Sequence, residues 1–231
     1  MYKINFNGVD IPSFVRIKSV SMSLLPENLG NGGAKLFNVT VFLIKDKNKS
    51  IGQMSREFAI WLKGDNFRLS PLVFSDDSDI TYMASVGTAP TLEDLIFYGS
   101  CDIQFVVPDG LGIGEMQFKK CTTPNATLEI PYNGLMPSYP IIKYTPNFTN
   151  SANVKITITD EVTGKRILLN GAMNEGETIT IDCGKKVVKR GNVVDMLLID
   201  YSSDWIKLEE SHHRLKVNQS GECSVTYVEN Y

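Results

Sequence analysis

Alternation of apolar and polar side chains constrains this chain more than any other feature of its sequence. Between Gly176 and Gly191 it reads GETITIDCGKKVVKRG. Thr178, Thr180 and Asp182 alternate with Ile179, Ile181 and Cys183. A period of two gives one apolar and one polar face, the pattern of a half-buried strand. Gly184-Lys185-Lys186 turns the chain back into Val187 and Val188, and Arg190-Gly191-Asn192 reads as a second turn. The segment is an antiparallel meander with no group placed for chemistry.

The same grammar runs through most of the 231 residues. Tyr2 to Phe6 alternates, and Asn7-Gly8 is a strong hairpin signal. Strands are expected at Phe14–Leu24, Phe37–Ile44, Phe67–Phe74, Thr81–Val86, Leu95–Val107 and Glu115–Cys121. A loop rich in Gly and Asn, Pro26–Leu36, separates the first two. One helix is expected. Ser50 and Gln53 have capping-box spacing, and Ile51, Met54, Phe58, Trp61 and Leu62 form a stripe at helical period, closed by Gly64. Such a stripe packs on a sheet.

YNGLMPSYP, with Pro131, Pro137 and Pro140 around it, is the expected boundary between residues 1–131 and 132–231. The second part reads as strand and turn throughout. A strand at Leu128–Pro131 leads into that boundary, and beyond it strands are expected at Val154–Thr159, Lys165–Leu169, Asp195–Ile199, Trp205–Leu208, Leu215–Val217 and Ser224–Val228. Short strands at this spacing predict a β-sandwich. The fold class is therefore mainly β, in two domains, the first sandwich-like with one α-helix.

Composition removes several classes of function. The formal net charge is −3, which argues against phosphate-driven nucleic-acid binding. The longest apolar runs are about half of the roughly 20 residues a membrane helix needs. No basic segment followed by an apolar one opens the chain, so a reducing compartment is expected. The four cysteines, Cys101, Cys121, Cys183 and Cys223, form no CxxC pair and read as free thiols.

Candidate chemistry is sparse. Gly110-Leu111-Gly112-Ile113-Gly114 is spaced wrongly for a dinucleotide fingerprint and precedes a strand, so it reads as a hairpin turn. Asp76, Asp77 and Asp79 lack the glycine and distal glutamate of a calcium loop and read as a solvated turn. His212 and His213 are adjacent on a strand, so they face opposite sides and do not share a metal. No catalytic residue, cofactor or metal site is assigned. Tyr201 and Trp205 are the candidate platform for stacking a sugar, although core burial is the commoner fate of such aromatics.

In order and spacing, the chain resembles the distal tail proteins of long-tailed, non-contractile bacteriophages and prophages. The resemblance is carried first by INFNGVDIPSF, the Gly-rich loop, FNVTVFLI, the helix ending AIWL, and LVFSDDSDITYMASV. It continues through NGLMPSYPIIKY, NVKITITDEVTGKRILLNG, GETITIDCGKKVVKRGN and SVTYVENY. One turn departs from the family's common Leu-x-Pro-Gly-x-Asn: here it is Leu208-Glu209-Glu210-Ser211-His212-His213.

The resemblance implies a ring-forming N-terminal domain and a galectin-like C-terminal sandwich. It implies a homo-hexamer at the virion tail tip, assembled in the host cytoplasm. The implied partners are the major tail (tube) protein, the tape-measure protein, the tail-associated hub protein and receptor-binding or other baseplate proteins. Nucleic-acid contact and membrane insertion are not needed. Leu29, Asn31, Lys35 and Leu36 are the candidate ring contacts, in a segment that is either ordered by assembly or an ordinary connection. The alternative function is a glycan-binding module acting through Tyr201 and Trp205.

Overall fold

The structure, a computed structural model, describes residues 2–22, 27–28, 33–89, 100–122, 127–149 and 155–231. It is mainly β, with one α-helix among the described residues, and divides into two units, Met1–Ile113 and Gly114–Tyr231.

In the first unit, β1 (Ile4–Phe6) and β2 (Val9–Asp10) are joined by Asn7 and Gly8, both at positive φ. That is the backbone a tight two-residue hairpin demands. β3 (Val15–Met22) pairs with β5 (Gly33–Leu43), with a bulge between Ile17 and Ser19. β6 (Ser70–Phe74), β7 (Asp77–Thr88) and β8 (Ser100–Val107) complete the main strands. β7 changes partners along its length: Asp77–Ala84 pairs with β6, and Ser85–Thr88 with β8. This makes two sheets, β2-β1-β6-β7 and β7-β8-β5-β3, around a shared core.

The helix α1 (Ile51–Lys63) forms as its sequence requires. The Ser50 hydroxyl accepts from the Gln53 N–H at 3.3 Å, and the Gln53 side chain accepts from the Ser50 N–H at 2.8 Å. Met54, Phe58, Trp61 and Leu62 are buried. Trp61 packs edge-on to Phe6 and Phe105 and donates its indole N–H to Val9 O at 2.9 Å, fastening the helix to the first hairpin. Ile51 is exposed instead. Side chains on a helix lean toward its N-terminus, so a residue in the first position projects past the start of the packed face.

In the second unit, β11 (Ile141–Pro146), β14 (Ile179–Asp182), β15 (Val187–Arg190), β16 (Val193–Val194) and β18 (Gly221–Asn230) share one sheet, in the order β16-β15-β14-β11-β18. The opposing sheet is β10 (Thr127–Pro131), β17 (His212–Val217), β12 (Ile156–Asp160) and β13 (Arg166–Leu169), in the order β10-β17-β12-β13. Inward side chains of both sheets, among them Ile130, Ile142, Tyr144, Ile158, Ile181, Leu215 and Val225, form one core. The opening meander is real: Asp182 pairs with Val187 across the Gly-Lys-Lys turn, and Arg190 with Val193 across Gly191.

Several expectations shift. The sequence placed the division after residue 131, whereas the units meet at 113/114. β9 (Gly112–Cys121) begins in the first unit, where Gly112 and Ile113 pair with β7. β10 belongs to the second unit because its whole length pairs with β17. Part of the expected Gly-rich loop is strand: β4 (Glu27–Asn28) pairs with Ala34 and Gly33, so Lys35 and Leu36 lie within β5. Phe67 is not in a strand, and Asp77–Asp79 belong to β7 rather than to a loop. Asp195 caps a short 3-10 turn, Met196–Leu198, where a strand was expected. Trp205–Leu208 contributes only a single bridge, Leu208 to Ser138.

Candidate functional site

The strand β17 turns His212 outward and His213 inward, as alternation requires. His213 and Asp160 are both fully buried, with Nδ1 2.8 Å from the Asp160 carboxylate. On its other side, Nε2 accepts N–H bonds from Glu209 and Glu210, at 3.1 and 3.2 Å. The imidazole is therefore neutral, with its proton on Nδ1, and has no lone pair left for a substrate or metal.

The arrangement is a structural clasp. It also explains how the turn at 208–213 closes without Pro, Gly or Asn: the imidazole ring takes up the turn's free N–H groups. Burial would raise the Asp160 pKa, but hydrogen bonds from His213, Thr163 and the Val162 N–H outweigh it and hold the carboxyl at about 2.

Other chemistry-bearing groups are likewise engaged or solvated. Among the described residues no group of three His, Cys, Asp or Glu side chains is placed to hold a metal. The four cysteines form no disulfide; Cys101, Cys183 and Cys223 are buried and Cys121 is half-buried. Cys121 and Cys223 share a hydrogen bond that lowers the pKa of the first and, with burial, raises that of the second. Gly110 turns the chain at positive φ, and Gly112 onward is β9, so the glycine-rich run has no helix behind it. No helix among the described residues is long and apolar enough to cross a membrane.

The residues singled out for assembly or sugar binding are scattered. Leu29 and Asn31 lie outside the described residues. Lys35 is buried, with its ammonium 5.3 Å from the centre of the Tyr82 ring, and burial lowers its pKa. Leu36 is half-buried and pairs with Val106. Tyr201 is fully exposed in a turn, while Trp205 is half-buried against the C-terminal core.

The N-terminal unit holds what the sequence did not reveal, a groove along β3. One cavity of about 390 Å³ is lined by Tyr2, Ile17, Val20, Phe37, Phe74 and Tyr82, with Lys18, Asp76 and Asp77 among its polar walls. A second, of about 290 Å³, shares Tyr2 and Ile17 with it. The floor is an aromatic cluster: Phe37 lies 4.8 Å from both Phe74 and Tyr82, and Tyr2 lies 6.2 Å from Phe74. Burial and the Asp76 carboxylate hydrogen-bonded to it raise the Tyr2 pKa. Five separate elements build this site, so no local motif announces it.

Residues 133–231 match the family model of the siphovirus-type tail component, C-terminal domain. No curated protein sequence matches the chain. Among solved structures, the Dit protein (gp 19.1) of phage SPP1 aligns over 100% of this chain and 99% of its own, with 16% identity and a TM-score of 0.74. That protein is described as a paradigm of the hub adsorption apparatus in phages infecting Gram-positive bacteria. The baseplate of phage p2 in its activated conformation with Sr aligns over 98% of this chain and 97% of its own, with 9% identity and a TM-score of 0.43. The resemblance to siphophage distal tail proteins read from the sequence holds. The match to the tail-component domain covers residues 133–231, and the described fold is similar to that of SPP1 Dit.

Proposed function

We propose that this chain is a distal tail protein, a structural ring at the tip of a long phage tail. The family match over residues 133–231 carries this reading, and the likeness in fold along the whole chain supports it. Six copies close around an axis, with the N-terminal unit forming the ring and the C-terminal unit, a galectin-like sandwich, facing outward. The ring joins the tube and tape-measure proteins to the tail-associated hub and receptor-binding proteins. Its mechanism is geometric: it presents repeated docking surfaces around a channel. Ring closure needs one patch of a protomer to meet a different patch of its neighbour.

Negative-stain imaging and native mass spectrometry of the purified chain, alone and with tube protein, test the proposal. A six-fold ring with a central hole is expected. A monomer under all these conditions, up to high concentration, overturns it.

A second reading, glycan binding, draws on one observation: Tyr201 stands fully in solvent, four residues from the half-buried Trp205 in sequence. A glycan array with Tyr201→Ala and Trp205→Ala controls decides it. Failure of the parent protein to bind any bacterial polysaccharide removes it.

A further inference from the structure

The turn after α1 is unusual in what it shows to solvent. Phe67 is 70% exposed and Leu69 48%, and Arg68 between them is exposed too. Asn66 and Phe67 both lie at positive φ, at 52° and 63°. Asparagine tolerates that conformation, but a bulky aromatic residue there is a genuine outlier. The turn holds it with bonds from Phe67 N to Lys63 O at 2.8 Å and from Arg68 N to Asp65 O at 2.9 Å. An aromatic, a basic and an aliphatic side chain are thus presented together on a constrained backbone. Inside this protomer, no acidic group forms an ion pair with Arg68 among the described residues.

The groove along β3 is the converse of that turn. Its floor is aromatic, and Asp76 and Asp77 at its edge form no ion pair among the described residues. The two features stand at opposite ends of one strand: Phe67–Leu69 directly precedes β6, and Ser75–Asp76 directly follows it. Five extended residues separate them by roughly 17 Å, so the knob of one chain does not fill the groove of the same chain. Complementary patches on opposite sides of a molecule are what a head-to-tail contact uses.

We infer that Phe67, Arg68 and Leu69 of one copy seat in the β3 groove of the next, with Arg68 against Asp76 and Asp77. Phe67 meets the aromatic floor built by Phe74, Tyr82 and Tyr2. Arg68 pairs with the carboxylates of the β6–β7 turn. Lys18, on the β3 wall, repels the guanidinium and so turns it toward that acidic side. This contact rests on the ring reading and supplies its interface.

The test is sedimentation and native mass spectrometry of the full chain across a concentration series, with Phe67→Ser, Arg68→Glu and Asp77→Lys variants. All three positions are exposed, so monomer folding, checked by circular dichroism, stays intact. Each variant is expected to need at least tenfold more protein to half-assemble. An equimolar mixture of the Arg68→Glu and Asp77→Lys proteins is expected to assemble again, because both of its contacts then pair opposite charges. A parent ring that all three variants leave unchanged overturns this contact and leaves the ring standing. A mixture that stays as weak as its components overturns the pairing of Arg68 with Asp77. A parent protein that never associates overturns the ring and this contact with it.

Discussion

His213 shows how a residue with catalytic potential is committed to structure instead. Both ring nitrogens are used, one on a buried carboxylate and the other on two backbone N–H groups. Removing the ring takes the imidazole from Asp160, which keeps Thr163 and the Val162 N–H, and leaves two backbone donors without an acceptor; breaking a buried pair of this kind costs about 3 kcal/mol. His213→Ala should therefore lose about 3 kcal/mol in urea unfolding, far more than His212→Ala on the solvent side of the same strand. Asp160 adds a pH dependence whose sign is determined. Its folded pKa is about 2 against an ordinary 3.8, so its stabilisation is complete above about pH 4 and disappears as pH falls toward 2. The shift corresponds to about 2 kcal/mol. Asp160→Asn should consequently be less stable than the parent by about that amount at pH 7, with the gap closing between pH 4 and pH 2. A gap that is constant across that window refutes the assignment.

Among the elements, the helix was the most legible, because its signals are local and independent. Replacing Ser50 by Ala removes the acceptor for the Gln53 N–H and should cost about 1 kcal/mol. Gln53→Ala opens the other half of the box and should cost less, which thermal melts of the two variants can rank. Hairpins were equally legible where a turn demands a particular residue, as at Asn7-Gly8 and Gly191. Strand ends were not. Phe67 looked like the start of β6 because an aromatic residue before alternating apolar positions fits a strand. Its positive φ comes from the turn that ends the helix, which periodicity does not encode. The β3 bulge has no sequence signal, because one extra residue preserves the local composition. The groove was hidden for another reason: its walls come from the N-terminus, β3, β5, β6 and β7, which only folding brings together.

At the scale of the whole molecule, the decisive fact is that the two cores have no member in common. One gathers buried side chains from Ile4 to Val107, the other from Leu128 to Tyr227. Cooperative unfolding follows a shared core, so separate cores predict two transitions in calorimetry. The prediction becomes sharp with one deletion in each. Phe105 is fully buried among Phe6 and Trp61 in the first core, and Ile158 is fully buried in the second. Truncating either to Ala removes buried apolar volume and leaves a cavity, at a cost of about 3 kcal/mol or more. For a unit of this size that lowers its own melting temperature by about 10 °C. Phe105→Ala should move one transition and Ile158→Ala the other, each leaving its companion within a degree or two. If either substitution drags both transitions down together, the chain unfolds as one cooperative body and the division into two units is structural only. If they move independently, the first unit can lose stability while the second keeps its fold. Under the proposed ring function, that independence lets either unit's surface change without unfolding the other.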